Sequence, residues 1–253
     1  MDGHHAKQIK VACLGSSTTA AKGTFNWIAR LEQRPENKHI RFLNFGVGGD
    51  LAYNALLRTQ NVIDAQPDEI LIIIGSNDIL AMTFVNVRRI YMRWKHLPFE
   101  PSAEWFTENL QAIIGRLKKE TDARISVVSP AQVGEDPTAN HPVQLHLNTL
   151  FKKFSEIIQA VAEAEKVNYI PFYERFHEQI VARPGRAFTK FSFPSFYRDY
   201  LWREFILRYS FDKIAQINGW RFHIDGVHLN TLGGMILVDV IQEFLPHRYC
   251  GLS

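Results

Sequence analysis

The sequence predicts an α/β protein in which helices cover both faces of a parallel sheet. Three observations favour this class. Short apolar runs alternate with longer segments of helical periodicity. Each of the first three runs ends at a glycine, as expected where a strand turns into a crossover. The third run is continuously apolar, which is typical of a strand buried on both faces.

Five segments have the composition and length of strands. They are residues 9–14, 40–45, 69–74, 124–128 and 167–170. The first three end at Gly15, Gly46 and Gly75, and the fourth ends before Pro130, which disfavours continuation of the strand. The third segment contains five consecutive apolar residues, so we expect it to lie centrally in the sheet.

Helical periodicity is found between the predicted strands. The helical segments cover residues 25–31, 51 to about 65, 105–118 and 145–165. Asp50 is in position to be the N-cap of the second segment. Helices that join parallel strands cross over in the right-handed sense, so they would cover both faces of the sheet. No repeat, low-complexity tract or linker divides the chain, so residues 1–253 are predicted to form a single domain.

Two insertions, at about residues 84–104 and 184–223, do not fit this alternation. Both are rich in aromatic side chains, and the first also contains several basic residues. One interpretation is that they pack as extra helices over an edge of the sheet. The other is that they form a roof over a site, as an apolar acyl pocket or as a lid that contacts a membrane surface.

The composition excludes several classes of protein. The 29 basic and 26 acidic side chains give a net charge of +3, too small an excess for a nucleic-acid-binding surface. No apolar run approaches the roughly 18 residues of a membrane span, and residues 1–10 do not resemble a secretory signal. We therefore expect a cytoplasmic protein. Its two cysteines, Cys13 and Cys250, are expected to be free thiols.

Four short segments contain the residues that could carry out chemistry. Ser17, Gly49 and Asn77 follow the first three strands, whereas Asp225 and His228 precede an apolar helical segment. Active sites of open α/β sheets form at the carboxyl ends of the strands. We therefore expect these residues to meet at that edge of the sheet.

Ser17, His228 and Asp225 have the residue types of a nucleophile, its general base and the group that orients the base. A serine hydroxyl is a weak nucleophile at neutral pH and needs a base within hydrogen-bond reach. Asp225 lies three residues before His228, close enough to accept a hydrogen bond from the imidazole and select its tautomer. Taken singly, each motif has a plainer explanation, because serine after glycine is common in turns and Asp-x-x-His occurs in polar loops.

Acyl transfer also needs N–H donors for the oxyanion that forms. The candidates are the backbone N–H groups of Ser17 and Gly49 and the side-chain amide of Asn77. Gly49 lacks a Cβ and allows close approach of the backbone, although glycine is also frequent in turns. Asn77 could equally hold a turn. The adjacent Asp50 and Asp78 are expected to brace loops or cap helices.

The four segments together resemble the motifs of the SGNH hydrolases, also called GDSL-like esterases and lipases, which have Ser, Gly, Asn and His blocks in this order. The matching segments are Gly15-Ser16-Ser17-Thr18-Thr19, Asn44-Phe45-Gly46-Val47-Gly48-Gly49-Asp50, Gly75-Ser76-Asn77-Asp78 and Asp225-Gly226-Val227-His228. Ser16 stands where the family usually has Asp. This leaves Ser16 as a rival nucleophile, but the spacing to Thr19 favours Ser17.

The resemblance implies a three-layer α/β/α, flavodoxin-like fold with a five-stranded parallel sheet in the order 2-1-3-4-5. It also implies a serine hydrolase that cleaves carboxylic esters without a metal or cofactor. Ser17, Asp225 and His228 would be its catalytic triad, and Ser17, Gly49 and Asn77 would form its oxyanion hole.

The substrate stays open at this point. A small-molecule ester is expected, either an acyl lipid or an acetylated sugar. One alternative function is therefore an O-acetyl carbohydrate deacetylase with the same mechanism. Another is a non-catalytic binding protein that retains the fold and uses its aromatic insertions as an interaction surface.

Overall fold

Five parallel strands form one sheet in the computed structural model, which describes residues 8–245 except for the side chains of Phe196 and Tyr200. The strands are β1 (Ile9–Gly15), β2 (Ile40–Gly46), β3 (Glu69–Ile73), β4 (Arg124–Val128) and β5 (Asn168–Ile170). They are hydrogen-bonded in the order β2-β1-β3-β4-β5, so the predicted strand order is confirmed. Cys13 is a buried free thiol in β1, and Cys250 lies outside the described residues.

Helices occupy the connections between the strands. They are α1 (Ser17–Ala20), α2 (Trp27–Glu32), α3 (Ala52–Leu57), α4 (Thr59–Asp64), α5 (Ser76–Thr83), α6 (Val85–Trp94), α7 (Ala103–Glu120), α8 (Pro142–Ala164), α9 (Phe172–Ala182), α10 (Phe193–Tyr197), α11 (Phe211–Asn218) and α12 (Thr231–Phe244). A 3₁₀ helix covers Pro35–Asn37, and a π-helix covers Arg198–Ile206. The sequence predictions omit α1, α5 and α9, of which the first two are too short for a clear helical period.

The residues of β3 alternate between two hydrophobic cores, one on each face of the sheet. Ile70 and Ile72 belong to the core that α3, α5, α7 and α8 cover. Leu71 and Ile73 belong to the core that α2, α9 and α12 cover. All of β3 is buried, which explains the continuous apolar run in the sequence. The α/β/α sandwich is thus confirmed, with β3 at the centre of the sheet.

The helix predicted from residue 51 to about residue 65 is divided into α3 and α4. Arg58 lies between them with φ −115° and ψ 15°, which is not a helical conformation. The prediction that Asp50 caps this helix is wrong, because Leu51 is the N-cap. Asp50 instead accepts a hydrogen bond from Arg58 Nε at 2.6 Å. The side chain of Arg58 therefore points back toward the ends of the strands.

The two insertions are largely helical. Residues 84–104 contain α6, and residues 184–223 contain α10, the π-helix and α11. No helix within residues 8–245 has both the length and the apolar character needed to span a bilayer.

Candidate active site

Four of the predicted site residues line one cavity of about 330 Å³: Ser17, Gly49, Asn77 and His228. Ser17 is the first residue of α1 and is separated from β1 by Ser16 alone, and Asn77 is the second residue of α5, after β3. Gly49 follows β2, and His228 lies in the loop before α12. The structure therefore brings together residues that are up to about 200 positions apart, at the carboxyl ends of the strands.

Ser17 and the rival nucleophile Ser16 differ in their access to this cavity. Ser17 is half-buried and forms part of the cavity wall. Ser16 is only 4% exposed and is not part of that wall. The geometry therefore favours Ser17 over Ser16 as the residue that meets a substrate.

Asp225 and His228 form a hydrogen-bonded pair within a tight loop. His228 Nδ1 lies 2.8 Å from Asp225 Oδ2, while Asp225 Oδ1 accepts the backbone N–H groups of Val227 at 2.9 Å and His228 at 2.8 Å. Gly226 has φ +92°, and a Cβ there would lie 2.5 Å from a ring carbon of Phe188, so the loop requires glycine at this position. The imidazole therefore presents Nδ1 to Asp225, a contact that selects its tautomer.

The two side chains shift each other's pKa in opposite directions. Burial raises the pKa of Asp225, but the charge and hydrogen bonds of His228 outweigh burial and lower this pKa to about 2. Burial lowers the pKa of His228, but the Asp225 carboxylate outweighs it and raises this pKa above its ordinary value. An ionised carboxylate next to an imidazole of raised basicity is the arrangement that a general base requires.

Gly49 and Asn77, the candidate oxyanion donors, both line the cavity. Gly49 has φ +76°, a conformation that favours glycine. Asn77 is 6% exposed, and its Nδ2 donates one hydrogen bond to the backbone oxygen of Asp50 at 2.9 Å. An amide nitrogen carries two protons, so Asn77, which lines the cavity, has a second N–H besides the one that Asp50 accepts.

A charged cluster beneath the glycine loop is a feature that the sequence predictions missed. Asp50 is 3% exposed and pairs with Arg58 at 2.6 Å and with Lys95 at 2.8 Å. Arg58 also donates to the backbone oxygens of Phe45 and Gly15, at the ends of β2 and β1. The cluster therefore ties two strand ends to the loop that carries Gly49. Neither basic residue has a fixed motif spacing to Asp50, so no local signal could have identified them.

Both insertions contribute aromatic side chains to the cavity wall. These side chains are Tyr91 and Trp94 from the first insertion, and Phe191, Phe193 and Tyr197 from the second. Phe193 packs against Tyr91 and Trp94, with ring centroids 6.3 and 6.5 Å apart. The geometry therefore favours the interpretation that the insertions form a roof over the site. Packing over an edge of the sheet alone would not place their side chains in the cavity wall.

The loop between β4 and α8 anchors the segment that carries Asp225 and His228. Glu135 of this loop accepts hydrogen bonds from the backbone N–H groups of Arg221, Phe222 and His223. The N–H of Gly134 donates to the oxygen of Gly226 at 2.9 Å. The sequence predictions assigned Glu135 no role, because its partners lie more than 80 residues away.

Solved structures with a similar fold include several esterases. An acetyl xylan esterase, AlAXEase, is 20% identical, with a TM-score of 0.62 and coverage of 94% of this chain and 100% of that chain. An alpha/beta hydrolase enzyme from the metagenome of Lake Arreo, Spain, is 16% identical, with a TM-score of 0.65 and coverage of 94% and 95%. An acetylxylan esterase from Geobacillus stearothermophilus is 16% identical, with a TM-score of 0.61 and coverage of 94% and 95%. At these identities the likeness is one of fold.

Similarity at the level of sequence is clearest for a family model. No curated protein matches the sequence. The model of the GDSL-like Lipase/Acylhydrolase family matches residues 13–233, a range that includes all four segments of the candidate site. The chain therefore belongs to the GDSL-like lipase/acylhydrolase family.

Proposed function

We propose that this protein is a serine hydrolase that cleaves carboxylic esters through an acyl-enzyme on Ser17. The observation that carries the proposal is the 2.8 Å contact between His228 Nδ1 and Asp225 Oδ2. His228 lines the same cavity as Ser17, whereas Asp225 lies behind the imidazole and is not part of the cavity wall. Membership of a family of lipases and acylhydrolases supports the reaction class.

In the proposed reaction, the hydroxyl of Ser17 attacks the ester carbonyl while His228 Nε2 takes its proton. Asp225 stabilises the imidazolium that results. The tetrahedral oxyanion receives hydrogen bonds from the N–H groups of Ser17, Gly49 and Asn77. The alcohol then leaves with the proton from His228, and the acyl group stays on Ser17. Water, deprotonated by His228, attacks the acyl-enzyme and releases the carboxylic acid.

A fluorophosphonate probe tests the nucleophile without knowledge of the substrate. We expect mass spectrometry to find the probe on Ser17, and expect Ser17→Ala and His228→Ala to lose both labelling and turnover of short p-nitrophenyl esters. Ser16→Ala is the matched control and should still be labelled. An unlabelled wild-type protein would support the non-catalytic binding function instead.

A second candidate is an O-acetyl carbohydrate deacetylase with the same residues. The aromatic cavity wall favours it, because flat rings can stack on a sugar as well as contact an acyl chain. The cavity of about 330 Å³ lies near the small end of ligand sites, which favours a short acyl group. Two of the similar structures are acetyl xylan esterases.

The two candidates differ in the substrate they prefer. We would compare kcat/KM for p-nitrophenyl esters from acetate to palmitate with the release of acetate from an acetylated xylo-oligosaccharide. A deacetylase should prefer acetate among the synthetic esters and turn over the sugar faster than any of them. A preference for long acyl chains, with an inert sugar, would exclude the deacetylase.

A further inference from the structure

Helix α6 and the residue that follows it contact two of the three loops of the proposed oxyanion hole. Tyr91 of α6 hydrogen-bonds to Asn77, and Lys95 directly after α6 hydrogen-bonds to Gly48. We propose that Tyr91 and Lys95 are positioning residues that orient the oxyanion donors of Asn77 and Gly49. This inference rests on the proposed function and extends it to the first insertion.

Tyr91 and the Asp50 carbonyl together hold the Asn77 amide in one orientation. Its hydroxyl donates to Asn77 Oδ1 at 3.0 Å, while Asn77 Nδ2 donates to the backbone oxygen of Asp50 at 2.9 Å. A flipped amide would place Oδ1 against the Asp50 oxygen and lose that hydrogen bond, although Nδ2 could then donate to the Tyr91 hydroxyl. Tyr91 is 7% exposed, and its burial raises the pKa of the hydroxyl, which therefore stays protonated and able to donate.

Lys95 controls the orientation of the peptide bond between Gly48 and Gly49. Its Nζ donates to the Gly48 oxygen at 2.7 Å and to Asp50 Oδ1 at 2.8 Å. The Gly48 carbonyl and the Gly49 N–H belong to the same planar trans peptide unit, so they point in opposite directions. An ammonium that holds the carbonyl therefore also sets the direction of the N–H. Its charge polarises the peptide and strengthens that N–H as a donor.

The backbone of Lys95 is itself held in place. Asn54 Nδ2 donates to the Lys95 oxygen at 3.0 Å. The side chain then packs directly against the loop, because a Cβ on Gly49 would lie 3.0 Å from Lys95 Cε and 3.7 Å from a ring carbon of Tyr91. One short segment of the insertion therefore touches both oxyanion elements, so the insertion is part of the catalytic apparatus as well as a roof over it.

The single variants to compare are Tyr91→Phe and Lys95→Met, assayed with a short p-nitrophenyl ester. We expect kcat to fall by about tenfold or more, a part of the hundred- to thousandfold loss typical of a missing oxyanion donor. KM should change little, and Lys95→Arg should retain more activity than Lys95→Met. A raised KM with wild-type kcat would make these residues substrate contacts and overturn the proposal.

Double variants test the route by which each residue acts. If Tyr91 acts through Asn77, then Tyr91→Phe should cost less than about twofold once Asn77→Ala is present. Lys95→Met should keep its full effect in that background, because it acts through Gly49. Independent, multiplicative effects of Tyr91→Phe and Asn77→Ala would contradict the proposed coupling.

Two controls separate this proposal from general damage and from a failure of the proposed function. Arg89→Met removes an exposed charge from the same helix, and Tyr53→Phe removes a hydroxyl from a residue that packs on Trp105. Both should keep wild-type kcat. If Ser17→Ala is inactive while Tyr91→Phe and Lys95→Met keep wild-type kcat, the positioning proposal alone is wrong. If Ser17→Ala stays active, the proposed function itself fails.

Discussion

Glu135 Oε1 lies 2.9 Å from His223 Nδ1, and both side chains are completely buried. The other ring nitrogen of His223 lies 3.0 Å from the backbone oxygen of Gln132, so both nitrogens face oxygen acceptors. Burial raises the pKa of Glu135, but the hydrogen bonds and charge of His223, with nearby backbone N–H groups, bring it below its ordinary value. The pair fixes the chain two residues before Asp225.

Glu135→Gln should therefore destabilise the protein. The amide NH₂ of Gln cannot accept, so at least one buried N–H donor of residues 221–223 would lose its acceptor, at a cost of about 1–3 kcal/mol. Urea denaturation measures this loss, with the exposed Glu178→Gln as the matched control. A loss below about 1 kcal/mol would mean that the pair contributes little to the free energy of unfolding.

The pH dependence of activity should follow His228. The base must be neutral to accept a proton, so activity should be lost as the pH falls through the pKa of His228. Because this pKa is raised, the loss should begin at a higher pH than for an ordinary histidine, whose pKa is about 6.5. In Asp225→Asn no carboxylate offsets the effect of burial, so the pKa of His228 should fall. The acidic limb of the activity profile should then move to lower pH, and the maximal activity should be lower. Profiles of kcat/KM against pH would check both effects, and an unmoved limb would contradict the pairing.

Asn77→Ala should lower kcat about a hundred- to thousandfold, equivalent to about 3 kcal/mol of transition-state stabilisation, with a small change in KM. The physical reason is the loss of one N–H donor to the oxyanion. Steady-state kinetics of a short ester would measure it. Asn61→Ala, on the exposed face of α4, is the control and should match the wild type.

Gly49→Ala should impair both stability and turnover. At φ +76° any Cβ is strained, and this one would lie 3.0 Å from Lys95 Cε, so the loop must shift. Gly219 has φ +73° with no atom within 4 Å of its Cβ position. Gly219→Ala should therefore lose about 1 kcal/mol while keeping wild-type kcat. Equal kcat in the two variants would contradict a shift of the loop, because alanine keeps the backbone N–H.

The free energy of unfolding of Asp78→Asn, compared with that of the wild type, should increase as pH rises. Burial raises the pKa of Asp78 from 3.8 to about 8, although the N–H of Ala52 donates to the carboxyl group. Between these two values the folded protein retains a proton that the unfolded chain has released. The free energy of unfolding of the wild type therefore falls as pH rises through this range, whereas an amide does not titrate. Urea denaturation at pH 5 and pH 9 would measure the difference, and a constant difference would contradict the shift.

Much of the fold follows from local patterns. The apolar run of β3 and the glycines that end β1 and β2 reflect burial and turn geometry, which act within a few residues. The Asp225 and His228 pair is local as well, because only two residues of one loop lie between its members. The placement of the four segments was then enough to predict that Ser17, Gly49, Asn77 and His228 lie together, and all four line one cavity.

The tertiary structure alone decided how these residues are supported. Lys95 and Gly48 are 47 positions apart, and Glu135 and His223 are 88 positions apart. Asp50 looked like a helix cap in the sequence, yet it pairs with Arg58 and Lys95 instead. A hydrogen bond or ion pair depends on distance in space, and partners far apart in the chain leave no periodic or spacing signal. The sequence thus determined the sheet and the candidate reactive residues, and the fold decided which side chains contact them.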